Sequence, residues 1–351
     1  MKRSRLNFID LFSGAGGFLE GFCKAGFIPL FAVENWDPAI QTHILNHPDI
    51  HIIKKDISRI SRKEIKKLIR NIDVDVIIGG PPCQGFSTIG KRLLKDPRNK
   101  LILEFMRIIR VVQPKVFLME NVRGLQSYNY GKSIEFILKG FKRAGYKNLT
   151  MKVLCSADYG VPQMRHRLFI MGIRNDINLD IDFPAPTLNK GNYKTAGEAI
   201  MDLVGKECQM PNHIPMKHNI IVEGRIGLIP EGKGLPTNGL PRKLLFGSRR
   251  DFANIKIKNF SHIYRRLHRN KPSTTMVPGH NAFPLHPTEN RALTVREAAR
   301  IQTFDDSFIF AGTRQEQCIQ VGNAVPVNLA RILALNIRKS LLSRKEKHDS
   351  R

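Results

Sequence analysis

The sequence lacks what would mark a membrane or secreted protein. No apolar run approaches the about 18 residues that a membrane span needs, and the start, Met1 to Phe12, is broken by Asn7 and Asp10 before a signal-peptide core can form. A cytoplasmic chain is expected. Cysteine is scarce. Cys23, Cys83, Cys155, Cys208 and Cys318 are odd in number and scattered, with no CxxC pair, which argues against a disulfide framework, a zinc site or a redox centre. His43 and His47 stand four apart in a helical stretch without a third ligand, so no metal is expected and the pair is read as ordinary histidines. No internal repeat and no low-complexity tract is found. Acidic residues are the other shortage: 30 Asp and Glu face 57 Lys and Arg, a net charge of +27. One reading of that excess is a basic proteome with Lys-rich solvated faces, as in Ile60 to Ile72. The whole is too large for solubility alone and points to a polyanion, with nucleic acid first, because each phosphate contact releases counterions.

What is present is an ordinary globular composition, 42% hydrophobic and 25% charged, which excludes wholesale disorder. At roughly 100 to 200 residues per domain, 351 residues suggest two lobes. The first half alternates β-branched runs with helical stretches, the pattern of a doubly wound, mostly parallel sheet. Strands are expected at 6–12, 28–34, 51–55, 74–78, 116–119, 149–154 and 168–173. Helices are expected at 18–25, 38–46, 62–70, 101–112 and 132–144. From Phe183-Pro184-Ala185-Pro186 to about Pro287 the texture turns to Pro, Gly, Asn and Lys without clear periodicity, which reads as a second, smaller lobe. A helix at 294–303 is announced by Thr294 with Glu297 three residues on. A last one spans 327–342, before a charged tail expected to fray. The expected division is a catalytic and cofactor-binding domain of residues 1–184 and 315–351, and an irregular domain with its hinge at 185–314.

Ser13-Gly14-Ala15-Gly16-Gly17 follows the first strand and opens a helix, so backbone can approach a ligand at the helix N-terminus. Leu19 stands where a dinucleotide GxGxxG motif would have its third glycine. Glu34, ending the second strand 20 residues beyond Gly14, suits the two hydroxyls of an adenosine ribose, and Asp56 ends the third strand in a similar position. The nucleoside cofactor therefore need not be NAD. Gly79-Gly80-Pro81-Pro82-Cys83-Gln84-Gly85 sits at the carboxyl end of the fourth strand, where open α/β sheets put their ligands. Its stiff backbone would expose a thiol, and Lys91 and Arg92 favour the thiolate. Glu120 is read as ending the fifth strand, next to the fourth, so that carboxylate and thiol share a cleft. Arg165 and Arg167 alternate before an apolar strand, so they face one side together, suited to a base carbonyl or phosphates.

At this point the chain resembles the cytosine-5 DNA methyltransferases of bacterial restriction-modification systems. The stretches that carry the resemblance are Asp10-Leu11-Phe12-Ser13-Gly14-Ala15-Gly16-Gly17, Pro81-Pro82-Cys83-Gln84-Gly85-Phe86-Ser87, Glu120-Asn121-Val122, Gln163-x-Arg165-x-Arg167, Arg291 to Phe304, and Gln320-Val321-Gly322-Asn323-Ala324-Val325-Pro326. They stand in the family's order and cover nearly the whole chain outside about 185 to 285. The resemblance implies a methyltransferase fold with a target-recognition domain, and S-adenosylmethionine as cofactor. Phe12 would stack on adenine, Glu34 hold the ribose, Asp56 the adenine amino group, Leu101 line the pocket and Asn323 sit beside the methionine portion. Ser13, Gly14, Gly16, Gly17, Trp36, Ile57, Pro82 and Ala324 complete the implied cofactor set.

The implied reaction is addition of the Cys83 thiolate to carbon 6 of a flipped-out cytosine, with methyl transfer to carbon 5. Glu120 would act at N3 and the exocyclic amine, and Arg167 at the O2 carbonyl. Arg165 would support the Cys83 loop and the DNA backbone. The final base is a side chain or water. The partners implied are duplex DNA and, functionally rather than physically, a cognate restriction endonuclease; the chain is expected to be a monomer. One branch of the family acts on transfer RNA. The roughly 100-residue variable lobe, with Arg242, Lys243, Arg249, Arg250, Lys256 and Lys258, favours DNA, where such side chains read base edges or clamp phosphates. A non-catalytic DNA-binding scaffold is the third reading, and the intact Cys83, Glu120, Arg165 and Arg167 set argues against it.

Overall fold

A computed structural model describes residues 5–82, 100–236, 240–244, 264–277 and 283–349. Its centre is a sheet of seven strands: β1 (Asn7–Leu11), β2 (Ile28–Glu34), β3 (Ile52–Lys54), β4 (Val76–Gly79), β5 (Val116–Val122), β6 (Asn148–Cys155) and β8 (His166–Ile173). The order across it is β3-β2-β1-β4-β5-β8-β6. The pairs from β3 to β5 are parallel, while β8 runs antiparallel to both neighbours. Central strands covered on both faces need apolar residues at successive positions. Val76, Ile77 and Ile78 meet that need and are fully buried.

Helices α3 (Arg62–Ile69), α4 (Lys100–Val112) and α5 (Lys132–Arg143) supply the apolar layer on one face; α1 (Gly17–Lys24) and α10 (Val327–Asp349) supply it on the other. α2 (Asp37–Asn46) packs beside β3. The α1–α10 seam is close: a Cβ at Gly21 would lie 2.4 Å from Ala330 Cβ and 2.8 Å from the Val327 carbonyl.

Three expectations change. β5 runs past Met119 to Val122, because β8 pairs along its whole length, Glu120 opposite Phe169 and Val122 opposite Arg167; Glu120 is thus inside the strand. The charged tail continues α10 to Asp349, since no helix breaker intervenes. The stretch Arg314–Ser343 is long and apolar enough by composition to cross a membrane, but 67% of its most apolar window is buried inside the fold.

The irregular segment holds α6 (Ala196–Ile200), α7 (Ile220–Gly227) and β9 (Ser273–Thr274), and is followed by α8 (Val295–Ile301) and α9 (Arg314–Asn323). β9 pairs in parallel with β7 (Gln163–Met164), which fastens this segment to the sheet just before Arg165. Thr294 and Glu297 form the expected capping box. Arg266, 4% exposed, gathers the carbonyls of Ile226, Ile229, His286 and Glu289 at 2.6–2.9 Å, so the end of α7 closes around a buried guanidinium.

Candidate active site

The carboxyl ends of β1, β2, β4 and β5 open into one cleft of about 1410 Å³, at the position where open α/β sheets bind ligands. On its first wall Phe12 takes a left-handed backbone conformation, φ 59°, which turns the chain sharply out of β1. Gly14 follows with φ 54° and nothing within 4 Å of its Cβ position, so the loop leaves room there. Gly17 serves a different end: a Cβ would lie 2.4 Å from the Val325 carbonyl, so this glycine lets α1 approach the chain after α9. Glu34 accepts the Gly14 N–H at 2.8 Å through Oε2, and the N–H groups of Asn35 (2.8 Å) and Trp36 (3.0 Å) through Oε1. Its carboxylate is thereby fixed at the cleft wall. Asp56 accepts from Ser58 N at 2.8 Å and Ser58 Oγ at 2.7 Å, and these bonds hold its pKa below the usual carboxylate value.

The opposite side carries the charged pair. Arg167 Nε lies 3.0 Å from Glu120 Oε1, with both side chains mostly buried. Burial raises the Glu120 pKa, and the attraction of Arg167 and then Arg165 opposes that rise. A Cβ on Gly80 would lie 3.2 Å from Glu120 Oε2, so β4 and β5 end side by side. Asn121 Nδ2 donates to the Pro81 carbonyl at 3.1 Å, which ties the Pro81–Pro82 segment to β5. Arg165 is 1% exposed and donates to the carbonyls of Met276 (3.2 Å) and Asn323 (3.4 Å). Burial pulls its pKa below the usual guanidinium value. These two bonds brace the cleft from inside the protein, while its Nε has no hydrogen-bond partner.

Of the residues expected at the site, Phe12, Ser13, Gly14, Gly17, Glu34, Trp36, Asp56, Ile57, Pro82, Leu101, Glu120, Arg165, Arg167, Asn323 and Ala324 all line this cleft. Gly16 is not among the lining residues; its Cβ position lies 3.2 Å from the His43 ring. Cys83, Lys91 and Arg92 lie outside the described residues, as do Arg249, Arg250, Lys256 and Lys258. Lys55, Arg123, Gln126, Thr275, Met276 and Val277 also line the cleft and went unnoticed in the sequence. Arg123 could have been found from its place directly after Glu120-Asn121-Val122. The segment of Met276 carries no comparable local signal.

Beneath the loop lies polar material without ordinary partners. Ser13 Oγ and both Asp10 carboxylate oxygens are buried and make no hydrogen bond of normal geometry. Burial, then the nearby Glu34 charge, raises the Asp10 pKa well above the usual carboxylate value, with the Leu19 amide working against the rise. His43 and His47 are packed ring to ring at 5.8 Å, and burial lowers the pKa of His43 to about 3. No cluster of three metal-ligating side chains occurs among the described residues.

A doubly wound sheet whose second strand ends in a fixed carboxylate, facing a Glu–Arg pair across one cleft, is the arrangement of the methyltransferase fold. The family model for the C-5 cytosine-specific DNA methylases matches residues 6–339, and the chain belongs to that family. It is 40% identical to the type II methyltransferase M1.HphI of Haemophilus parahaemolyticus, over 95% of this chain and 87% of that one. It is 36% identical to M.DdeI of Desulfomicrobium norvegicum, over 95% and 88%. Among solved structures, a chain described as a DNA modification methyltransferase encoded within a prophage (E. coli) superposes with a TM-score of 0.75 at 27% identity, covering 96% of this chain and 99% of that one. S. pombe Dnmt2 shares the fold, with a TM-score of 0.60 at 19% identity and 96% and 99% coverage. The chain is a DNA cytosine-5-methyltransferase, and its reaction draws on a methyl donor.

Proposed function

We propose that the enzyme methylates carbon 5 of a cytosine flipped out of a specific duplex sequence, with S-adenosylmethionine as donor and Cys83 as nucleophile. The observation that carries this reading is the buried Glu120–Arg167 pair, 3.0 Å apart, across one cleft from the Phe12–Glu34 wall. The fit to the cofactor rests on three features of that wall: open space at Gly14, a Glu34 carboxylate anchored by three amides, and the orphaned Ser13 hydroxyl. Phe12, Glu34, Trp36, Asp56, Ile57 and Leu101 would hold the nucleoside, with Asn323 and Ala324 on the methionine side. The bound cofactor supplies an electrophilic methyl group.

The protein's own residues do the rest. The Cys83 thiolate adds to carbon 6, which turns carbon 5 into a nucleophile. Glu120, whose burial favours the protonated form, donates to N3 as charge develops in the ring. Arg167 orients Glu120 and holds O2. Loss of the carbon 5 proton, to a side chain or to water, then expels Cys83. Arg165 supports the Cys83 loop and the DNA backbone, held in place by its bonds to the Met276 and Asn323 carbonyls. The relatives' designation as type II methyltransferases supports a restriction-modification setting, with an endonuclease of the same target as functional partner. We propose further that it acts in the cytoplasm as a monomer.

Bisulfite sequencing of DNA from cells expressing the protein should return one short methylated sequence. Cys83→Ser should lose far more than tenfold in turnover while keeping DNA binding, and a duplex with 5-fluorocytosine at the target should form a denaturation-resistant adduct with wild type. Methylation of transfer RNA in place of DNA, or turnover by Cys83→Ser within tenfold of wild type, would overturn the reading.

A further inference from the structure

We infer that Gln163 and Gln302 form a buried amide relay that couples occupancy of the cofactor side of the cleft to occupancy of the base side. Both are positioning residues, fully buried, and neither lines the cleft. Gln302 Nε2 donates to the carbonyls of Val321 (2.8 Å) and Ala324 (3.2 Å), at the end of α9 that carries Asn323. Its Oε1 accepts from Gln163 Nε2 at 3.0 Å, and Gln163 Oε1 accepts the Met276 N–H at 3.1 Å.

An unbroken chain of amide hydrogen bonds thus runs from Met276 to Ala324, and both of its ends line the cleft. Arg165 spans the same gap independently, from the Met276 carbonyl to the Asn323 carbonyl. Every member is buried, so a shift at one end either moves the other or leaves an unpaired polar group in a dry interior, and the first is cheaper. The two ends therefore keep one relative geometry. A cofactor seated against Ala324 should favour the Met276 position that suits a flipped base, and a bound base should tighten the cofactor by the same factor.

The inference rests on the proposed cofactor and substrate. Its test measures S-adenosylhomocysteine binding by calorimetry, with and without a duplex carrying the sequence that bisulfite mapping returns. Wild type should bind about fivefold or more tighter in the presence of the duplex. Gln302→Leu and Gln163→Leu should each bring that ratio to within about twofold of unity, and the double variant should be no worse than either single one, as members of one relay are not additive. A merely structural role would weaken both measurements alike and leave their ratio intact. Gln302→Met stands in if a Leu variant fails to give a cooperative melt. Variants that keep the wild-type ratio, or a wild type with no ratio to lose, would overturn the relay. A wild type that binds no S-adenosylhomocysteine at all would instead overturn the proposed cofactor.

Discussion

At the scale of single residues, burial sets the chemistry. Asp10 is fully buried beneath the glycine loop with its pKa raised, so its neutral form is the one the fold tolerates. A raised carboxyl contributes stability that is complete below the unfolded value, about 3.9, and is lost as pH rises through the folded value. Asp10→Asn should remove that loss. Melting curves of both proteins at pH 5 and pH 8 should show the variant gaining on wild type as pH rises; a constant difference would mean that Asp10 ionises freely in the fold. That Glu34, Glu120 and Arg167 share one cleft was legible in the sequence, because short motifs place each at a strand end or beside it. The partners of Arg165 and Gln163 were not. A motif places an arginine or glutamine near a cleft, but only burial and partners far along the chain, Asn323 and Gln302, decide whether it touches substrate or braces the wall.

At the scale of elements, the sheet strands and most helices were legible because their apolar period is local. The extension of β5 through Glu120 was not, because it depends on pairing with β8, a strand more than forty residues later in the chain. The glycines of α1 show the same contrast. A glycine-rich turn suggests ligand contact throughout, yet Gly17 and Gly21 are needed for close packing against Val325 and Ala330. Gly21→Ala must push α10 away or bend its backbone, since a Cβ would lie 2.7 Å from Arg331 N. Overpacking of this kind costs about 1–3 kcal/mol. Chemical denaturation should show that loss, and methyl transfer by the fraction still folded should be nearly unchanged.

At the scale of the whole molecule, the net charge of +27 named the partner correctly but overstated the surface available to it. Arg165, Arg266 and Arg296 are almost wholly buried, and each donates to backbone carbonyls. DNA affinity should still fall steeply from 50 to 200 mM salt while S-adenosylhomocysteine affinity hardly changes, which titrations of each ligand across that range would show. A flat response for DNA would refute the electrostatic account. Under the proposed function, target choice falls to the irregular segment, since Glu120, Arg165 and Arg167 all lie before it. Replacing residues 185–272 with the matching part of another family member should switch the methylated sequence to the donor's, as read by bisulfite mapping. The junction belongs before β9 so that Met276 keeps its bonds to Gln163 and Arg165. An active chimera that kept the original target would move recognition elsewhere.

The seam between α1 and α10 has a consequence for the timing of synthesis. During synthesis α1 finds its packing partner only after α10, far later in the chain, has been made, and the cleft gains its Asn323–Ala324 wall only shortly before that. A growing chain that already contains Glu120 and Arg167 therefore still has an incomplete cleft. A chain truncated before α9 should show no methyl transfer in an assay with labelled donor.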